Sequence, residues 1–261
     1  MQSSNPILSK RDSFSRAGTV GFDAPPPSSY DLQQMYDAPA ARRMTLDDVI
    51  TKTAITLGVL VVAGAAAWLL VPPGAFGFIL PMALVGFGLG MFISFKRAIS
   101  PPLILTYAAV QGVLLGTISS VFEARFPGIV VQAVLGTAIV FATTLAAYKS
   151  GRIRVTPRFT KVVVIAGFAA MGLMLVNLLA SMIGGGAGLG LRGDSPLGIL
   201  FGLAMVGLGA MFLVLDFDLV QRGVAQGAPE RESWLAAFGL TVTLIWIYME
   251  ILRLISYLRS E

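Results

Sequence analysis

Long apolar runs fill the chain from about residue 44 onward, and short stretches rich in Pro, Gly or charge separate them. Each run is about 20 residues long, enough for a helix to cross a hydrocarbon layer about 30 Å thick. The pattern predicts seven transmembrane helices, at residues 49–71, 76–95, 103–122, 129–148, 162–183, 197–215 and 234–258. We therefore expect an all-α polytopic membrane protein.

Composition supports a membrane location and limits the residue types that could bind a metal or transfer a proton. Of the 261 residues, 56% are hydrophobic and 13% are charged, which leaves too little polar surface for a soluble domain. The chain has neither Cys nor His, so disulfides, thiol catalysis and imidazole or thiolate metal sites are excluded. Any proton or metal chemistry must therefore use carboxylates.

Residues 1–43 differ from the rest of the chain. They are rich in Ser, Pro, Ala and Arg and contain no sustained apolar run, so a cleaved signal peptide is not expected. We interpret residues 1–43 as a disordered cytoplasmic tail and residues 44–261 as the transmembrane domain.

The basic residues predict an orientation. Fifteen Lys and Arg residues fall on the N-terminal side of the predicted spans and four on the other side. Cytoplasmic loops carry this excess, so the N-terminus is expected in the cytoplasm and the C-terminus outside. The net charge of +5 follows from this arrangement, and nucleic acid is not expected as a partner.

Acidic residues inside apolar runs are the candidate functional residues, because a charge in hydrocarbon is costly and usually faces a protein interior or a water-filled path. Asp216 and Asp218 close the sixth run. Asp218 has Arg222 four residues later, so an ordinary ion pair is the favoured interpretation. Asp216 has no cation at helical spacing and must find its partner on another helix, which makes it the first candidate.

Glu250 lies inside the seventh run, with Arg253 three residues later. Functional and structural interpretations are about equal for it, since a paired acid near a membrane end is common. Lys96 and Arg97 end the second run. They are best explained as basic residues that flank the cytoplasmic end of a membrane span, and the alternative is that one of them pairs with Asp216. Burial and a second carboxylate both raise a carboxyl pKa, so two acids sharing a site would form a proton-operated latch.

These stretches resemble the Bax inhibitor-1 family, in particular a bacterial branch with a Pro-rich tail. The resemblance covers residues 44–261, and its most specific parts are Leu215-Asp216-Phe217-Asp218 and Tyr248-Met249-Glu250. It implies a seven-helix fold with a central last helix, a bacterial inner-membrane location and a pH-sensitive calcium leak. Asp216 and Glu250 would then be the two acids of the latch and tentative calcium ligands, with Asp218, Lys96, Arg97 and Arg253 as possible partners.

Two further expectations accompany this resemblance. With a turn at Pro229, the two acids differ in depth by about 12 Å, which tilt, a kink or a later turn would reduce. The alternative to a channel is an interaction protein that transports nothing and modulates a membrane protease or another complex. An intramembrane aspartic hydrolase is disfavoured, because the chain has no Gly-x-Gly-Asp stretch, and no enzyme activity or bound cofactor is expected.

Overall fold

The computed structural model describes residues 42–71, 77, 79–96, 99–184, 188–193 and 195–260. The predicted tail lies almost wholly outside these ranges, as does Arg97. The described residues form seven α-helices: α1 (Leu46–Leu70), α2 (Ile79–Phe95), α3 (Pro101–Arg125), α4 (Ile129–Lys149), α5 (Pro157–Gly184), α6 (Pro196–Ala225) and α7 (Glu232–Leu258).

Each predicted run corresponds to one of these helices. Six of them are long and apolar enough to span a membrane, which confirms an all-α polytopic membrane protein. The remaining helix, α2, has 17 residues, a length of about 25 Å at 1.5 Å per residue. This is at the short limit for a membrane span, so a seventh crossing stays a prediction.

Helix boundaries follow local capping chemistry. Thr45 begins α1 through a capping box, in which its hydroxyl accepts from the Asp48 amide and the Asp48 carboxylate accepts from the Thr45 amide. Ser195 caps α6 in a similar way, and Pro196 occupies the first turn, where no amide hydrogen is needed. The α6 helix continues past Leu215 to Ala225, so Asp216 and Asp218 lie within it and not at its end.

Three glycines allow α1 and α3 to pack backbone to backbone. A Cβ atom on Gly116 would lie 2.1 Å from the Gly64 carbonyl oxygen, and one on Gly112 would lie 2.2 Å from the Leu60 carbonyl oxygen. Small residues permit this close approach between membrane helices. Gly112 and Gly116 are therefore packing residues at this helix contact.

The last helix is central among the described helices. It packs against α1, α3, α4 and α6, and it carries more buried residues than any other helix. By contrast, among the described helices the α5 backbone lies close only to that of α6, and the α2 backbone lies close only to that of α3. This loose attachment of α5 leaves space beside α6 and α7.

Candidate functional site

Asp216 on α6 is joined to α7 by a hydrogen bond from Thr243. The Thr243 hydroxyl donates to Asp216 Oδ2 over 2.6 Å. Thr243 is buried and Asp216 is largely shielded. No cation lies within ion-pair distance of Asp216 in the described part of the chain. The expected partner on another helix is therefore a neutral hydroxyl.

Glu250 on α7 has two cationic partners instead. Its side chain is only 5% exposed, and its Oε1 lies 2.8 Å from Arg253 Nη1 and 3.6 Å from Arg192 Nη2. The Arg253 pair confirms the spacing-based prediction. The Arg192 pair was missed, because Arg192 lies 58 residues before Glu250 in the chain, in the loop that precedes α6.

The two carboxylates lie at different depths along the α6–α7 interface. Thr243 marks the level of Asp216 on α7, and Glu250 follows seven residues later, a rise of about 10 Å. This agrees with the expected depth difference. The structure thus brings each acid to its own partners and does not bring Asp216 and Glu250 together.

An aromatic pair separates the two acidic levels. Phe212 lies one turn before Asp216 on α6, Trp246 lies one turn before Glu250 on α7, and their ring centroids are 5.5 Å apart. The space for the Phe212 ring depends on Gly167 of α5, where a Cβ atom would lie 2.7 Å from Phe212 Cζ. Helices α5, α6 and α7 therefore enclose the aromatic pair.

A cavity of about 570 Å³ lies between these three helices on the Glu250 side of the pair. Phe212 and Trp246 line it, as do Arg192 and Glu250. Asp216 is not among the lining residues. The aromatic pair thus stands between the cavity and Asp216.

The loop bearing Arg192 is anchored to α5. The Leu189 amide donates to Asn177 Oδ1 over 2.9 Å, and the Arg192 guanidinium donates to Met174 Sδ. Burial lowers the pKa of Arg192, and the nearby Arg253 lowers it further, while Glu250 opposes both effects. Two guanidinium groups therefore share one carboxylate at the mouth of the cavity.

The remaining candidate residues lie apart from this interface. Asp218 Oδ2 lies 2.7 Å from Arg222 Nε, which confirms the predicted ion pair. The Lys96 ammonium lies 5.4 Å from the centre of the Phe92 ring and is exposed. Arg97 lies outside the described residues, so its proposed role as a partner stays a prediction.

A preformed metal centre is not evident in the described ranges, where no three acidic side chains lie close enough to hold an ion together. Asp216 and Glu250 each offer a single carboxylate at their own level.

A comparison with curated proteins finds no match to the chain. The family described as Bax inhibitor 1 like matches residues 5–260, which is nearly the whole sequence. The seven described helices and the acidic stretches on the last two accord with that match. The chain belongs to the Bax inhibitor 1 like family of membrane proteins.

Proposed function

We propose that this protein is a pH-sensitive calcium leak channel of a bacterial inner membrane, with its N-terminus in the cytoplasm. The ion path follows the interface of α6 and α7, past Glu250 on the outer side and Asp216 on the cytoplasmic side. The observation that carries the proposal is the placement of two shielded carboxylates about 10 Å apart in depth, with Phe212 and Trp246 between them.

Calcium suits the oxygen ligands of this path. Ca²⁺ prefers carboxylate, carbonyl and hydroxyl oxygens, and the chain has no His or Cys that would favour a softer metal. Asp216 and Thr243 supply carboxylate and hydroxyl oxygens, and no cation of the described ranges lies within ion-pair distance of Asp216. Calcium is here the transported ion, and it meets Asp216 and Glu250 in turn.

The outer carboxylate forms the latch in this proposal. The charge of Glu250 holds Arg192 and Arg253, and these two pairs keep guanidinium groups beside the path. Loss of that charge would release Arg192, which belongs to a loop. We therefore expect neutralisation of Glu250 to increase the leak, with the latch formed by Glu250 and the arginines and not by two paired acids.

Calcium flux into liposomes that contain a calcium-sensitive dye tests the proposal. The wild-type protein should pass calcium, and Asp216→Asn should pass much less, because the path loses its inner anion. Asp218→Asn is the matched control, since Asp218 is two residues away and pairs with Arg222. Equal flux through wild type and Asp216→Asn, or no flux through wild type, would contradict the proposal.

A second candidate is an interaction protein that transports nothing, and the junction between the tail and α1 favours it. The Met44 amide donates to the Ala228 carbonyl over 2.7 Å, and Arg43 forms a β-bridge with Pro229 in the α6–α7 turn. A partner that pulls on the tail would therefore act on the turn that joins these helices. Flux-free liposomes, together with a co-purifying membrane protein that is lost on deleting residues 1–41, would favour this candidate.

A further inference from the structure

We propose that the cavity between α5, α6 and α7 binds one anionic phospholipid, with an acyl chain in the cavity and the phosphate on Arg192. The proposal concerns binding and does not depend on ion flow. It follows from the shape and lining of the cavity, the incomplete hydrogen bonding of Arg192 and the charge balance at the cavity mouth.

The lining of the cavity matches a hydrocarbon chain. Its wall is mostly apolar and flexible, with Met171, Met205 and Phe168 beside the two aromatic rings. Phe168 is 65% exposed and Met171 is 58% exposed, so the cavity opens sideways toward the surroundings of α5. In a bilayer, lipid acyl chains surround α5. An acyl chain can therefore enter the cavity from the side and fill its volume of about 570 Å³.

Arg192 offers donors that the described residues leave poorly satisfied. A guanidinium has five N–H donors in a planar fork. Those of Arg192 reach Met174 Sδ, which is a weak acceptor, and approach Glu250 Oε1 at 3.6 Å. A phosphate oxygen accepts from such a fork far better than a thioether does.

The net positive charge beside Glu250 also favours the binding of an anion in the cavity. Arg192 and Arg253 face the single carboxylate of Glu250, which leaves one positive charge uncompensated within this group. Arg192 lies in the loop between α5 and α6, and Arg253 lies five residues before the end of α7. Both positions are near a membrane interface, where lipid phosphates lie, and basic pockets between membrane helices bind such head groups.

Quenching of Trp246 fluorescence by brominated lipid tests the proposal, because this side chain lines the cavity. The full chain carrying Trp68→Phe and Trp234→Phe keeps Trp246 as its single tryptophan. It is titrated in detergent with phosphatidylglycerol or phosphatidylcholine bearing the same dibrominated chains. We expect phosphatidylglycerol to bind about fivefold more tightly, the preference expected from one arginine at an anionic lipid.

Three further variants in this background decide the outcome. Arg192→Gln should abolish the preference, whereas Arg125→Gln removes a charge from the same expected membrane face, away from the cavity, and should retain it. Val164→Phe adds volume to the lining and should weaken quenching by both lipids. Equal quenching by the two lipids, or an unchanged preference in folded Arg192→Gln, would overturn the proposal, and so would unchanged quenching in folded Val164→Phe.

Discussion

Thr243 of α7 donates a hydrogen bond to Asp216 of α6, with Oγ1 and Oδ2 2.6 Å apart. This bond joins the two helices at the level of a carboxylate that has no cationic partner in the described part of the chain. It marks the register of α6 against α7, and with it the depth of Asp216 relative to Glu250. The functional proposal therefore depends on this pair.

The first prediction concerns the hydrogen bond itself. Thr243→Val keeps the side-chain shape but removes the donor, so Asp216 loses its partner in a shielded position. We expect a loss of about 1–3 kcal/mol in stability, measured as a lower thermal unfolding midpoint in detergent. The control Thr243→Ser retains the hydroxyl, and its stability should remain within about 1 kcal/mol of wild type. Equal unfolding midpoints for Thr243→Val and wild type would contradict a structural role for the hydrogen bond.

A second prediction concerns the aromatic pair. Phe212→Ala removes the ring that lies 5.5 Å from Trp246 and separates the cavity from Asp216. If the pair is the constriction of the path, calcium flux in dye-loaded liposomes should rise several-fold. Phe201→Ala is the control, because Phe201 packs on the same helix without lining the cavity, and a Phe212→Ala flux equal to that of the control would contradict the constriction.

The third prediction tests the contact between α1 and α3. In Gly116→Ala the new methyl group would lie 2.1 Å from the Gly64 carbonyl oxygen, so the two helices must separate. We expect a loss of about 1–3 kcal/mol in stability, again from the thermal midpoint. Gly88→Ala, where a Cβ atom meets no atom within 4 Å, should not destabilise the protein; similar midpoints for both variants would show that the contact is unimportant.

A fourth prediction concerns the attachment of α1 to the α6–α7 turn. The Lys52 ammonium donates to Ser233 Oγ over 2.9 Å and to Glu230 Oε1 over 3.2 Å, and its side chain is 12% exposed. Lys52→Met should lower stability by about 1–3 kcal/mol, because it removes the ammonium that donates to buried Ser233 Oγ. Lys149→Met, at the exposed end of α4, should have little effect, and equal losses in the two variants would refute the specific role of Lys52.

The hydrophobic pattern was sufficient to predict the helices but not all of their contacts. The lengths of the apolar runs were enough to predict all seven helices, because the thickness of the bilayer sets the length of an apolar helix. The pairs Asp218–Arg222 and Glu250–Arg253 were also predictable, since each lies within one helix at fixed spacing.

The partners of the two central acids were not predictable in the same way. Thr243 was visible as a polar residue in an apolar run, but its pairing with Asp216 depends on the register of two antiparallel helices. That register is fixed by contacts such as Gly209 against Ile247. Arg192 reaches Glu250 through a loop anchored by Asn177, and helical spacing carries no information about such a contact.

Calcium flux through wild type and Glu250→Gln, compared at the same pH, tests the central claim most directly. Both proteins are reconstituted in dye-loaded liposomes. The account predicts several-fold higher flux through Glu250→Gln, because the neutral side chain no longer holds Arg192 by its charge. Equal or lower flux through folded Glu250→Gln would contradict the account.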